Sequence, residues 1–183
     1  MSAARVLAVC VVHQLRADAG PVGTTAIDKR PVDGPIKVGT YGAYADVQAD
    51  RRNHGGPDKA VYAYSQGDAD FWAGELGREL PFGWFGENLR VSGLDLGAAL
   101  VGERWSIGTT ILEVTMPRTP CQTFARWVGG DDERGWVKRF SNARRLGVYL
   151  RVVQKGRVQA GDAVTVLHRP EGAPTVLEIY RGV

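Results

Sequence analysis

Cys121 lies in the stretch MPRTPCQTF, residues 116–124. The thiolate is the form of cysteine that attacks electrophiles and binds metals. Pro117 and Pro120 stiffen the chain on either side, because each lacks a backbone donor and restricts the residue before it. Arg118, a permanent cation with a planar donor fork, stands three residues upstream. A nearby cation favours the thiolate. The chemistry open to such a cysteine is metal ligation, nucleophilic attack or reversible sulfur loading. A lone cysteine also serves as a small buried apolar side chain, and this stretch alone does not choose.

Other residues carry chemistry at looser spacing. Lys29 and Arg30 adjoin a turn, Asp33-Gly34-Pro35, and would clamp an anion or simply face solvent. His54-Gly55-Gly56 joins an imidazole to a backbone-permissive turn that lets a ligand approach the main chain. Asp58 and Lys59 follow it. Glu87 and Asn88 sit between Gly86 and an apolar run beginning at Leu89. They would fasten that turn or hydrogen-bond a heterocycle. Lys138, Arg139, Arg144 and Arg145 form the densest basic cluster, which suits a helix C-terminus or a phosphate-facing patch.

The elements that must position these groups are mostly strands. Residues 6–12 form an apolar run, residues 38–49 alternate loosely, and residues 60–64 (AVYAY) favour a buried strand. Residues 65–80 predict a helix capped by Ser65 or Asp68, with Trp72, Leu76 and Leu80 on one face and Pro81 at the stop. Residues 109–115 (TTILEVT) predict the strand that delivers the Cys121 loop. A short helix follows, with Phe124, Trp127 and Val128 inward, and a second helix is capped by Asp131 or Asp132. The tail predicts two strands about a Lys155-Gly156 turn, a third after Asp162, and an edge strand within 168–180.

With 183 residues the chain is read as one domain, long enough for a core without disulfides. Two cysteines make no disulfide framework, and the default compartment is the reducing cytosol. The N-terminal apolar run lacks a cleavage pattern and reads as a strand rather than a signal peptide. A net charge of +3 fits a small anionic ligand and is too weak to argue for nucleic acid. P-loop, GxGxxG, HExxH, paired CxxC and GxSxG motifs are all missing, which removes support for nucleotide, zinc and serine-hydrolase chemistry.

Taken together, TAIDKRPV, QADRRNHGGPDKAVYAY, FGENL, LEVTMPRTPCQTF, GVYLRV and AGD, in that order, resemble the MOSC domain family. This is the family of the C-terminal domain of molybdenum cofactor sulfurases, and the likeness is to its stand-alone bacterial YiiM-type members. It covers about residues 5–180. The resemblance implies a mainly β (α+β) fold, a distorted β-barrel with a few short peripheral helices. It also implies a molybdenum cofactor (molybdopterin) and the reduction of N-hydroxylated compounds, such as 6-hydroxylaminopurine, to amines. By the same likeness Cys121 is the metal ligand, and Lys29, Arg30, His54, Gly55, Gly56, Glu87, Asn88 and Arg118 border the cofactor. His54, Glu87 or Asp58 would give a proton. A single protein thiolate suffices where the pterin brings its own sulfurs. Electrons must come from a separate donor protein or reductant, since no flavin, haem or iron–sulfur motif is present. Two alternatives stay open: a sulfur carrier with a persulfide on Cys121, and a non-catalytic module binding a pterin or other anion.

Overall fold

Alternating apolar residues need two buried faces, and the centre of this fold supplies them. The computed structural model describes residues 3–50, 55–129 and 135–181. The strands are β1 (Arg5–Val12), β2 (Arg16–Ala17), β3 (Thr24–Thr25), β4 (Lys29–Pro31), β5 (Ile36–Gly39), β6 (Gly42–Ala43), β7 (Val61–Ser65), β8 (Leu89–Ser92), β9 (Arg104–Ile107), β10 (Thr110–Pro117), β11 (Val148–Gln154), β12 (Gly156–Val158) and β13 (Val164–His168). The helices are α1 (Gln66–Leu76), α2 (Gln122–Gly129), α3 (Trp136–Ala143) and α4 (Val176–Ile179), with a single 3-10 turn at Pro57–Lys59.

Eight strands form one sheet in the order β13-β9-β10-β11-β7-β8-β1-β4. Every pairing in it is antiparallel except β7 with β8. Strands β12, β5 and β6 make a second sheet, and β2 with β3 a hairpin. The expected barrel is not closed by a ladder among the described residues. Strand β1 comes back to the start of β13 through an isolated bridge, Arg5 to Ala163, flanked by backbone bonds from Val6 to Asp162 and from Val164 to Ala4. The fold is therefore a mainly β, α+β arrangement with a mixed sheet and a few helices.

Strand β7 shows why the core divides. Side chains alternate across a strand, so Val61 and Ala63 enter an aliphatic cluster with Val9, Leu89, Leu112 and Leu150. Tyr62 and Tyr64 enter an aromatic cluster with Trp72, Phe85, Phe124 and Phe140. Strand β11 repeats the division, with Val148 and Leu150 on one side and Tyr149 on the other. The helices cover the aromatic side.

Helix α1 is capped as expected by Ser65, whose hydroxyl accepts from the Asp68 N–H. It ends earlier than Pro81, at Gly77, which takes a left-handed φ of 61°. Only a residue free of a Cβ does this without cost. Helix α2 buries Phe124 and Val128, while Trp127 is half-buried and donates its indole N–H to the Trp84 carbonyl. The cap expected at Asp131 or Asp132 lies outside the described residues. The edge strand expected within 168–180 is instead the short helix α4, preceded by a bridge from Leu100 to Thr175. Thr175 and Glu178 form a reciprocal capping box there, which holds the turn despite β-branched Val176 and Ile179. No described helix is long and apolar enough to cross a membrane.

Loop 81–88 joins α1 to β8 and is held from within. Glu87 is wholly buried and accepts from the Gly83 N–H at 2.8 Å and the Phe85 N–H at 3.0 Å. Its third partner is the equally buried Arg90, at 2.5 Å. Gly83 lies at φ 84°, and a Cβ there would meet the Lys29 carbonyl oxygen at 2.2 Å. The loop thus packs directly on β4. Removing one member of a buried ion pair leaves an uncompensated charge, which costs about 3–5 kcal/mol. Glu87→Ala should lower stability by about that amount, read as a lower urea midpoint with an unchanged slope.

Candidate functional site

A cleft opens at the rim of the aromatic side. Its cavity volume is about 150 Å³, and its mouth is open to solvent. One wall is the β2–β3 hairpin with the turn between its strands, and another is the segment Asp46–Asp50. Tyr62, Tyr149 and Phe85 line its interior, together with Arg118 and Cys121. The two tyrosines face each other across the β7–β11 ladder with ring centroids 5.3 Å apart.

Cys121 is placed by two elements. Strand β10 ends at Pro117 and α2 begins at Gln122, so Cys121 is the residue that starts the helix. Its carbonyl accepts from the Ala125 N–H at 3.1 Å. A side chain at this position lies beside the open N–H groups of the first turn. The positive end of the helix dipole favours an anion there. Cys121 is half-buried, and Arg118 and Arg126 are both electrostatically coupled to it.

Arg118 is only 6% exposed. Its guanidinium carbon lies 4.4 Å from the Phe124 ring centre and 5.4 Å from that of Tyr62. Burial pushes its pKa down, but the Tyr62 phenol, the Cys121 thiol and the Tyr149 phenol outweigh this, and the net shift is upward. Those phenols do not neutralise it at ordinary pH. Burial pushes both Tyr62 and Tyr149 above their usual value, so they stay uncharged. Nη1 of Arg118 is buried without a hydrogen-bond partner. Among the described residues no carboxylate pairs with this guanidinium.

Lys29 in the cleft and Arg126 on α2 are each paired with a carboxylate. Lys29 Nζ lies 2.5 Å from Asp46, with both side chains about nine-tenths buried. Asp46 also accepts from Asn88 at 2.7 Å and from the Val12 N–H at 3.0 Å. Arg126 grips Asp18 through two contacts of 2.8 and 2.7 Å, and the Thr123 hydroxyl donates to the same carboxylate. The hydrogen bond from Arg126 holds the Asp18 carboxyl below its usual range. This clamp fastens the turn of the hairpin to α2.

The residues singled out in the sequence divide. Lys29, Asn88, Arg118 and Cys121 come together in the cleft. Asn88, however, spends its amide on the fold. Its Oδ1 accepts from the Tyr62 N–H, and its Nδ2 donates to the Cys10 carbonyl and to Asp46. Both of its donors are thus spent within the fold, and its Oδ1 accepts one bond while the residue lines the cleft. Glu87 does not line the cleft, because its carboxylate is sealed against Arg90 and loop N–H groups. Asp58 is exposed, faces Arg151 at 3.6 Å and lies off the cleft. Arg30 points outward toward Asp28 at 3.5 Å. Gly55 and Gly56 lead into the 3-10 turn, and the Gly56 N–H donates to the side chain of Gln48, a cleft residue. His54 lies outside the described residues. In the basic cluster, Arg139 pairs with Glu75, Arg145 pairs with Asp68, and Arg144 donates to the Leu177 carbonyl.

Asp46, Asp18, Tyr62 and Tyr149 were not expected in the site. Their partners stand far away in sequence, so no local spacing announces them. The alternation of Tyr62 and Tyr64 within AVYAY was the one available signal.

Cys10 lies in β1, fully buried, and burial pushes its thiol up to about 12. The two thiols should therefore differ sharply. Native protein should take up one equivalent of an alkylating reagent at Cys121, with Cys10 reacting only after unfolding. Mass spectrometry of the labelled peptides reads this directly.

The sequence pattern of the MOSC domain matches residues 50–165. YflK of Bacillus subtilis is 35% identical over 147 residues, which cover 80% of this chain and 65% of YflK. A protein of Gibberella moniliformis named "Reductase" is 30% identical over 165 residues, which cover 86% of this chain and 28% of that protein. The chain thus spans less than two thirds of either relative. The crystal structure of YiiM from Geobacillus stearothermophilus superposes with a TM-score of 0.78 at 28% identity, over 97% of this chain and 82% of that one. With its mixed sheet and with Cys121 presented at the start of α2, the chain belongs to the MOSC domain family and is YiiM-like.

Proposed function

We propose that the chain is a reductase that binds a molybdenum cofactor in this cleft and converts N-hydroxylated compounds to amines. The observation that carries the reading is the corner at Cys121. A half-buried thiol at a helix N-terminus stands with a buried guanidinium that has no carboxylate among the described residues, in an open cleft lined by rings and charged groups. The reductase half is supported by the Gibberella relative's name. The choice of N-hydroxylated substrates, with 6-hydroxylaminopurine as the type, rests on the family resemblance.

The residues fit such a group. Among the described residues no three His, Cys, Asp or Glu side chains cluster, and the soft ligand that the described part of the cleft offers a metal is the Cys121 thiolate. When bound, the cofactor supplies two-electron oxygen-removal chemistry at a soft, sulfur-rich metal that accepts a further thiolate. Cys121 would be that ligand, held at fixed depth by Pro117, Pro120 and α2. Tyr62 and Tyr149 wall the cleft beside Arg118. Lys29, oriented by Asp46, keeps an ammonium group inside the cleft that can give a proton to a departing oxygen. Breaking the N–O bond takes two electrons and two protons and releases amine and water. The electrons come from a separate reductant or donor protein.

Protein made in a host that assembles the cofactor should carry close to one molybdenum per chain and reduce 6-hydroxylaminopurine with a chemical reductant. Loss of a metal ligand typically lowers retention by at least about tenfold, so Cys121→Ala should lose both metal and activity. Full retention of both in that variant would remove Cys121 from the metal. A second reading, persulfide transport, rests on the same cationic corner, which suits a persulfide anion equally well. It would show as cyanide-labile sulfur on Cys121 in protein free of molybdenum.

A further inference from the structure

The corner at Cys121 holds a buried cation, Arg118, that no carboxylate among the described residues pairs with. Of Lys29, Arg118 and Arg126, the first is paired with Asp46 and the last with Asp18. Arg118 has no carboxylate among the described residues, its neighbouring phenols are neutral, and one of its donor nitrogens bonds to nothing. A buried cation without a counter-charge is costly even where a neutral phenol such as Tyr149 takes one of its donors, and folds keep one where a ligand supplies the anion. The Phe124 and Tyr62 rings pin the guanidinium, so it does not swing out to water. The same corner holds the N-terminus of α2, an eight-residue helix whose first-turn N–H groups favour an anion.

A Cys121 thiolate answers part of this charge. It does not fill the site, because a guanidinium carries five donors in a fork matched to oxygen anions. The thiolate's charge is also drawn off whenever the sulfur is ligated.

We infer that Arg118 and the first-turn N–H groups of α2 form a binding site for a small oxyanion beside the Cys121 sulfur, and that this site takes the oxygen attached to the substrate nitrogen. The second half rests on the reductase reading; the first half does not. Beside the sulfur the site presents the Arg118 fork and the first-turn N–H groups, while the Asp18 carboxylate is already taken up by Thr123 and Arg126. The site therefore selects substrates whose oxygen carries negative charge, such as N-oxides and hydroxamate anions, over O-alkylated analogues that fill the corner with carbon.

The test uses sulfate as the probe and iodoacetamide, an uncharged reagent, as the reporter. In cofactor-free protein, sulfate should slow alkylation of Cys121 several-fold and saturably, while sodium chloride at matched ionic strength should not. Arg118→Gln should abolish the protection. Arg118→Lys keeps the charge but loses the fork and should weaken it several-fold, which reads the site even if the glutamine variant fails to fold. In cofactor-loaded protein, sulfate should compete with the N-hydroxylated substrate, raising KM and leaving kcat unchanged. Absence of saturable protection, or equal protection in Arg118→Lys, overturns the anion site. Protection without competition would give the corner to the cofactor's own phosphate and overturn the substrate assignment. If loaded wild-type protein reduces no N-hydroxylated compound, the reductase reading falls, while the alkylation arm still decides the anion site.

Discussion

Strand β8 enters the sheet between β7, which it meets in parallel, and β1, which it meets antiparallel. The residue at that entrance must satisfy backbone groups on both sides, and it is Asn88. Its backbone N–H donates to the Tyr62 carbonyl and its carbonyl accepts from Cys10. Its side chain then bonds the Tyr62 N–H, the Cys10 carbonyl and Asp46. Asp46 reaches on to Val12 and Lys29. One amide and one carboxylate thus tie β7, β8, β1 and β4 under the floor of the cleft. A buried donor or acceptor left without its partner costs about 1–3 kcal/mol, so the network resists piecemeal change. The position of Lys29 in the cleft, and of Tyr62 beside it, follows from it.

The division of the core gives the cleft its character. The aliphatic side packs strand on strand and carries no chemistry. The aromatic side receives helices and loops, and at its rim the polar groups collect. Its rings do two things at once. They bury area, and they immobilise Arg118 at a place where the main chain changes from strand to helix. Charge is distributed with the same economy, since Asp18 and Asp46 are both engaged by cations while Arg118 at the Cys121 corner has no carboxylate among the described residues.

Much of the scaffold was legible in the sequence. The strands at β1, β7, β10 and β11 and the helices α1 and α2 show their periods because each buries a regular face. The Cys121 loop was legible too, since two prolines after an alternating run force a presented turn. The sealing of Glu87 and the fold contacts of Asn88 were not legible for a definite reason. A carboxylate and an amide advertise hydrogen-bonding capacity, but sequence does not say whether Arg90 and the Tyr62 backbone will claim it first. Residues 168–180 misled because Val, Ile and Tyr favour strands, whereas the capping box at Thr175 and Glu178 decides locally for a helical turn. Asp46, Asp18 and Tyr149 were hidden because only tertiary pairing brings them to Cys121. The open ladder is likewise a property of register between β1 and β13, which no single segment contains.

The central claim is that Cys121 gives its sulfur to a metal supplied with a cofactor. X-ray absorption at the molybdenum edge tests it most directly, comparing loaded wild-type protein with Cys121→Ser loaded in the same host. The account predicts one sulfur neighbour more in the wild type than in the serine protein. Equal sulfur numbers in the two would contradict it.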